Sequence, residues 1–378
     1  MIVDWQPHKE YYLKNNEFKT FFSDEEWPKD LKFPQIWHKI LFKSKRIYCM
    51  EVNKTHEDFH LKTIEKFRKE DKSTPIIIFF PAIQNDHKLM IQTLKRVGIK
   101  NIFIINDMGH NDENWFYIST SNLAWNGYIG SVPFIPHQQR PFTISALCHR
   151  FEPARWYFIS KLCLSQLNKC ITFSNHYDID ISTFIEQCKF QLGIEPDNEV
   201  IDCLNNLLKN SPIRPDFMSP PRFNWETTQE RIKFLVTDLS MHIRSRINLT
   251  LEGSYVDTGY GTCLQEKTGK CLATGTFPIA IGQSGTYSLL KNWGFGGFDD
   301  VKIDLSFDHI LKDFDSITSR NMKIKKICSV IEKLNDSVDV EDCCKKNYEW
   351  FHDGWYQQVE KNNDIHIERL RTTLKHIC

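Results

Sequence analysis

The chain lacks net charge and lacks any regular pattern of cysteines. Its 48 lysine and arginine residues balance 48 aspartate and glutamate residues over 378 positions. No global basic field therefore points to nucleic acid, although a local basic groove is compatible with this balance. The 12 cysteines contain no CxxC pair, and Cys343 and Cys344 are adjacent. Because adjacent cysteines suit a disulfide framework poorly, the pattern predicts reduced thiols in a reducing compartment.

A long apolar run and a secretory signal are also missing from the sequence. No stretch approaches the roughly 20 apolar residues of a membrane-spanning helix. The first residues, MIVDWQP, do not have the charged and apolar regions of a signal peptide. We therefore expect a cytoplasmic protein with no membrane partner.

The length favours two domains, because 378 residues exceed what a single core usually contains. In the first part of the chain, the short apolar runs 75–80 and 101–105 flank a helical pattern, which predicts a β–α–β module. We predict an α/β protein with three regions. They are an N-terminal domain over 1–140, a second domain over 141–340, and C-terminal helices over 341–378.

The stretch 247–293 contains the clearest succession of strands and helices in the second predicted domain. The apolar runs 247–251 and 277–281 predict buried strands, and between them a helix begins at Glu266 and ends at Gly275. A further helix is predicted over 286–293. Strand–helix–strand–helix is the repeat of a parallel α/β sheet, in which ligands bind beyond the carboxyl ends of the strands.

The start of this helix carries candidate ligand-binding side chains: Glu266, Lys267 and Thr268. Glu266 could accept hydrogen bonds from ribose hydroxyls, and Lys267 could neutralise phosphate charge as a leaving group departs. In the Gly-rich segment before the helix, glycines such as Gly259 would let the backbone approach a ligand. A surface salt bridge that opens a helix explains Glu-Lys-Thr equally well.

A second candidate group lies at an earlier strand-to-helix turn. Arg150 and Arg155 bracket the turn between a predicted strand, 142–147, and a predicted helix, 156–167. Guanidinium groups beside helix N-terminal amides suit a diphosphate. The alternative is a pair of surface arginines.

The loop over 106–114 is the candidate for proton transfer. It places Asp107 and His110 directly after a predicted strand, where general bases often lie in open α/β sheets. The alternative is a solvated loop without a role in chemistry. We expect no metal site, because no second ligand cluster has matching spacing.

The segment QEKTGKCLATGTFPIAIG, residues 265–282, resembles a motif of GT-B-type glycosyltransferases of phages and large viruses. In that family a Glu-Lys-Thr helix leads to Ala-x-Gly-x-Pro-Phe-Ile. The segment 285–299 and the turn over 150–162 are similar to the same family, and the Glu-Lys pair is similar to that of α1,3-fucosyltransferases. The resemblance covers about residues 142–310. It implies two Rossmann-like domains, an acceptor-side domain over 1–140 and a nucleotide-sugar-binding domain over 141–340. The final helices, 341–378, would cross back and pack on the first domain.

The resemblance also implies an activity. It implies transfer of a hexose or a pentose, such as arabinose, from a UDP- or GDP-sugar that acts as co-substrate, with no tightly bound cofactor. Glu266 would contact the nucleoside and Lys267 the phosphates, while Arg150 and Arg155 stabilise the departing diphosphate. If the reaction inverts the sugar, Asp107 would be the base, with His110 as second choice.

Viral members of this family suggest hydroxymethylcytosine in phage DNA as the acceptor, modified in the host cell cytoplasm. The basic runs 43–46 and 95–100 could track DNA phosphates, and tryptophans of the first 140 residues could stack around a base taken out of the duplex. Two alternatives stay open. One is a cell-envelope or other glycan as acceptor, and the other is a non-catalytic nucleotide-binding or interaction protein.

Overall fold

A computed structural model describes these parts of the chain: 2–3, 10–11, 48–51, 76–80, 102–106, 115–117, 132–175, 179–217, 239–252, 266–282, 284–310 and 317–377. Together they form a mixed α/β structure with two sheets. Within these ranges, no helix has both the length and the apolar character that crossing a membrane requires.

The first sheet contains six short strands. In chain order they are β1 (Ile2–Val3), β2 (Glu10–Tyr11), β3 (Tyr48–Glu51), β4 (Ile76–Phe80), β5 (Ile102–Asn106) and β6 (Trp115–Tyr117). Their spatial order is β2-β1-β3-β4-β5-β6, and every pair is parallel except β1 with β2. The strands predicted from the apolar runs 75–80 and 101–105 are thereby confirmed as β4 and β5.

The second sheet contains four strands, all parallel. They are β7 (Phe142–Cys148), β8 (Lys169–Phe173), β9 (Ser245–Leu251) and β10 (Phe277–Ile281). Their spatial order is β10-β9-β7-β8. The chain moves outward in one direction from β7 to β8 and in the other from β9 to β10, so the sheet is doubly wound and its order reverses between β7 and β9.

This sheet confirms the predicted parallel α/β architecture, and its strand order is compatible with a Rossmann-like fold. The strands predicted over 247–251 and 277–281 are β9 and β10, although β9 begins two residues earlier, at Ser245. The division into domains at 1–140, 141–340 and 341–378, and the GT-B arrangement of two such domains, stay predictions.

The helices follow the strands of the second sheet and continue to the C-terminus. They are α1 (Pro153–Leu164), α2 (Ile181–Gln187), α3 (Asn198–Lys209), α4 (Ser240–Ile243), α5 (Glu266–Thr274), α6 (Thr286–Asn292), α7 (Ile317–Lys333), α8 (Glu341–Asp353) and α9 (Trp355–Ile377). Helix α1 begins three residues before the predicted start, because Pro153 occupies its first turn, where no backbone donor is lost.

The core lies between the second sheet and its helices. Strand residues such as Ile144, Leu249 and Ile279 are fully buried, as expected for strands covered on both faces. Near the C-terminus, Trp355 is buried against the Phe351 ring, with ring centroids 5.0 Å apart. These two C-terminal aromatic side chains are therefore packed inside the protein. Helix α9 also contacts β6 of the first sheet.

Gly275 ends α5, as its sequence position predicted. Its φ is +64°, in the left-handed region that favours glycine. The amide of Thr276 closes the helix by donating to the Cys271 carbonyl at 2.9 Å. A Cβ atom at position 275 would lie 2.6 Å from Cδ2 of the Phe134 ring. Backbone conformation and packing therefore both require glycine here.

We expect Gly275→Ala to lower the free energy of unfolding by about 2–4 kcal/mol, because left-handed strain and overpacking act together. Urea denaturation at a single temperature measures the change. Gly296→Ala is the matched control, since a Cβ there meets no described atom within 4 Å, and its effect should stay within about 0.5 kcal/mol. Equal stability of the two variants would contradict this account of Gly275.

Candidate functional site

The strand order of the second sheet reverses between β7 and β9, so the carboxyl ends of these two strands lie side by side. These two strands are neighbours, and the segments that follow them lead to helices α1 and α5. In doubly wound sheets the diverging helices leave a gap at this point, which is where ligands bind. The predicted arginine turn follows β7, and the predicted Glu-Lys-Thr helix follows β9.

Glu252 connects the two segments. It directly follows β9 and is buried, with 3% of its surface exposed. Its amide donates to the Ile281 carbonyl at 2.9 Å, its carboxylate accepts a hydrogen bond from the Thr268 hydroxyl, and its carbonyl accepts one from Arg155 Nη2 at 2.6 Å. Sequence reasoning assigned no role to Glu252, although an acidic residue directly after an apolar strand was a usable signal.

Arg155 lies in the first turn of α1 and is buried. Besides its bond to Glu252, its Nε atom lies 3.1 Å from Oε2 of Glu152. Its guanidinium therefore links β9 to the start of α1 rather than extending from the surface. The interpretation as a plain surface arginine is wrong for this residue, whereas its contact with a diphosphate stays a prediction.

Lys267 and Thr268 lie in the first turn of α5, of which Glu266 is the first residue. Lys267 is half-buried, and its Nζ donates to the Leu251 carbonyl at the end of β9. Thr268 is fully buried through its bond to Glu252. The two side chains therefore fix the N-terminus of α5 against the end of β9, whatever ligand is present.

Electrostatic interactions show that the predicted cations lie close together. Burial raises the pKa of the Glu152 carboxyl, while Arg155, Lys267 and Arg150 each act to lower it. Burial likewise raises the pKa of the Cys148 thiol to about 12 against the effects of Arg155 and Lys267, so Cys148 is an inert thiol. Of the three cations, Arg150 is the exposed one.

We call the group formed by Arg150, Glu152, Arg155, Glu252, Lys267 and Thr268 the switch-point cluster. It joins residues from two segments about 100 positions apart in the sequence. Its cations and two helix N-termini can neutralise an anion such as a diphosphate. Three predicted site residues, Asp107, His110 and Gly259, lie outside the described residues.

The amides at the start of α6 bind a carboxylate of the protein itself. The buried Asp308 carboxylate accepts hydrogen bonds from the amides of Thr286, at 3.1 Å, and Tyr287, at 3.0 Å. The buried Lys323 ammonium donates to the Gly282 carbonyl at 2.7 Å, beyond the end of β10. The Gly282 carbonyl beyond β10 and the first amides of α6 are therefore hydrogen-bonded to side chains of the protein itself.

Metal ligands are not grouped in the part of the chain that the structure describes. No set of three or more His, Cys, Asp and Glu side chains lies close enough there to hold an ion. The chemistry that the switch-point cluster itself supports is charge neutralisation by Arg and Lys.

At the opposite, amino-terminal edge of the second sheet, buried Arg140 forms a structural centre. Its guanidinium contacts oxygens of Ile135, His242, Ser245, Thr274 and Thr276 at 2.7–3.2 Å. Burial lowers its pKa to about 10, so it stays charged at neutral pH. Sequence reasoning did not identify this residue.

His137 packs beside this centre. It is buried, and its Nε2 lies 3.0 Å from the Gly275 carbonyl. Burial and the nearby Arg140 and Arg246 charges lower its pKa, the carbonyl and Glu341 oppose them, and the result is a pKa of about 4. The ring is therefore neutral in the folded protein at pH 6, whereas it is largely charged in the unfolded chain at pH values below 6.5.

We expect His137 to make stability pH-dependent between pH 6.5 and pH 4. Because the folded pKa lies below the unfolded value, the contribution is fully present above pH 6.5 and is lost as the pH falls towards 4, by roughly 3 kcal/mol. His137→Gln should flatten this part of a urea-denaturation profile. His309→Gln, which replaces an exposed histidine, should leave the slope unchanged. Identical slopes for the parent and His137→Gln would contradict the assignment.

Comparisons of the chain with protein families, with curated proteins and with solved structures found no match.

Proposed function

We propose that this protein is a nucleotide-sugar-dependent glycosyltransferase whose donor binds at the switch-point cluster. One observation carries the proposal: Arg150, Arg155, Lys267 and Thr268, predicted from two separate segments, lie together where β7 and β9 end. This is the position where doubly wound sheets bind nucleotides. A UDP- or GDP-sugar has a diphosphate that matches cations beside helix N-termini.

Some residues of the cluster would contact the donor, and others would position them. Arg150, which is exposed, and Lys267, which is half-buried, would contact the diphosphate and neutralise charge as the sugar bond breaks. Arg155, Glu152 and Glu252 would position them, because their contacts tie the start of α1 to the end of β9. Glu266, the first residue of α5, would bind the ribose hydroxyls of the donor.

The proposed acceptor is hydroxymethylcytosine in phage DNA, which would receive a hexose or a pentose in the host cell cytoplasm. Two features of the sequence support this acceptor. The basic runs at 43–46 and 95–100 could bind DNA phosphates, and tryptophans of the first 140 residues could stack around a base taken out of the duplex. Asp107, with His110 as second choice, would take the acceptor proton if the sugar is inverted.

A donor screen tests the first half of the proposal. The protein is heated with each of a panel of UDP- and GDP-sugars, and with UDP and GDP alone. A donor at about 100 times its Kd should add about 2.7 kcal/mol of stability. Lack of stabilisation by every nucleotide would contradict the donor site. Binding without any turnover would instead favour the non-catalytic nucleotide-binding alternative.

An acceptor assay tests the second half. Duplex DNA that contains hydroxymethylcytosine is incubated with the protein and the stabilising donor, and is then digested to nucleosides for mass analysis. A nucleoside heavier by one sugar is expected, and binding to the DNA should weaken steeply with salt. Transfer to a glycan but to no DNA base would exclude the DNA acceptor and leave the transferase standing.

A further inference from the structure

Two cysteines away from the switch-point cluster differ from the other described cysteines. Cys163 and Cys203 are partly exposed. The other cysteines whose side chains the structure describes are buried: Cys148, Cys170, Cys188, Cys271, Cys328, Cys343 and Cys344. Because a thiol must be accessible to be oxidised, we expect an oxidant to reach these two cysteines before the buried ones.

The two thiols face each other across a helix interface. Cys163 lies in the last turn of α1, Cys203 lies in the middle of α3, and the two helices pack together. Cys203 Sγ lies 3.5 Å from the Ser160 carbonyl, one turn before Cys163 on α1. The Cys203 thiol is therefore held against the turn of α1 that contains Cys163, and the two thiols interact across the interface. This is the placement that a bridge between the two helices requires.

The surroundings of the thiols give them different roles. Interaction with Cys163 lowers the pKa of the Cys203 thiol, against the effect of burial. The same interaction, together with burial, raises the pKa of Cys163, while the Lys169 ammonium acts to lower the pKa of both thiols. Cys203 is thus the thiol that ionises first and attacks an oxidant, and Cys163 is its resolving partner.

We infer that Cys163 and Cys203 form a peroxide-sensitive dithiol, which closes to a reversible disulfide between α1 and α3. The Cys203 thiolate attacks a peroxide oxygen, the O–O bond breaks, and the thiolate becomes a sulfenic acid while one water leaves. The Cys163 sulfur then displaces the sulfenic hydroxyl as a second water. Overall, two thiols and one hydrogen peroxide give one disulfide and two waters.

The disulfide would restrain the fold. It closes a loop of 40 residues, the difference between positions 203 and 163, and cross-linking such a loop removes entropy from the unfolded chain. We expect the oxidised protein to melt about 5 °C higher than the reduced protein. Dithiothreitol should reverse the shift.

Peptide mapping tests the pairing directly. Trypsin places Cys163 in peptide 162–169 and Cys203 in peptide 190–209, and each peptide contains a single cysteine. The full chain is treated with graded hydrogen peroxide, alkylated, digested without reductant and analysed by mass spectrometry. The expected product is these two peptides joined with the loss of two hydrogens. It should form at lower peroxide than any oxidation of buried Cys188, which serves as the internal control.

Variants separate the two roles. Cys163→Ser should leave a sulfenic acid on Cys203 that dimedone traps, whereas Cys203→Ser should leave Cys163 unreacted. Cys188→Ser should oxidise like the parent. Absence of the joined peptides in the parent at peroxide levels that already oxidise Cys188 would overturn the inference, independently of whether either variant folds. Sulfenic acid on Cys163 in the Cys203→Ser variant would overturn the assignment of the attacking thiol.

Discussion

Replacement of Arg140 by methionine should lower the free energy of unfolding by about 3–5 kcal/mol. The guanidinium is buried and contacts five oxygen acceptors, four of which are backbone carbonyls. Methionine fills a similar volume but donates no hydrogen bond, so each of these five acceptors would lose the donor that Arg140 supplies. The change is expected to be among the largest that a single residue produces in this chain.

Urea denaturation of the variant, followed by circular dichroism, measures this loss. Arg140→Lys should recover only a minor part of it, since an ammonium cannot match the planar set of donors. Arg150→Met is the matched control, because Arg150 is exposed, and its effect should stay within about 0.5 kcal/mol. An Arg140→Met protein as stable as this control would show that the acceptors find other partners.

Lys267→Met should produce the largest functional effect. If Lys267 stabilises the departing diphosphate, its removal should lower kcat about 10²–10³-fold. Loss of its bond to the Leu251 carbonyl should at the same time cost only about 1 kcal/mol of stability. A large fall in turnover with a small change in stability distinguishes a role in the reaction from a role in the fold.

The control for this experiment is a lysine at the surface of the next helix. Lys291 lies on α6 and pairs with Asp299 at 2.6 Å, with both side chains largely exposed. Lys291→Met should leave donor binding and turnover unchanged. The two variants are compared with the donor that stabilises the parent. Parental kcat in Lys267→Met would remove this residue from the reaction.

Local patterns in the sequence determined much of the second sheet. Apolar runs predicted β9 and β10, and Gly275 was identified as the end of α5. These features depend on residues a few positions apart, because strand period, helix period and left-handed backbone are local properties. Helix α2 continues into a π-helix that begins at Cys188, a change of helix type that the apolar pattern does not indicate.

Tertiary structure decided which side chains meet. Glu252 accepts from Arg155, 97 positions away, and Arg140 contacts Ser245, 105 positions away. The contact of Cys203 with the Ser160 carbonyl, 43 positions away, depends on how α1 packs on α3. Such partners are set by the strand order of the sheet, which no local pattern encodes. The sequence therefore determined where the candidate cations lie along the chain. Only the fold decided that Arg155 is buried, that Arg150 is exposed and that Glu252 joins Arg155 to Thr268.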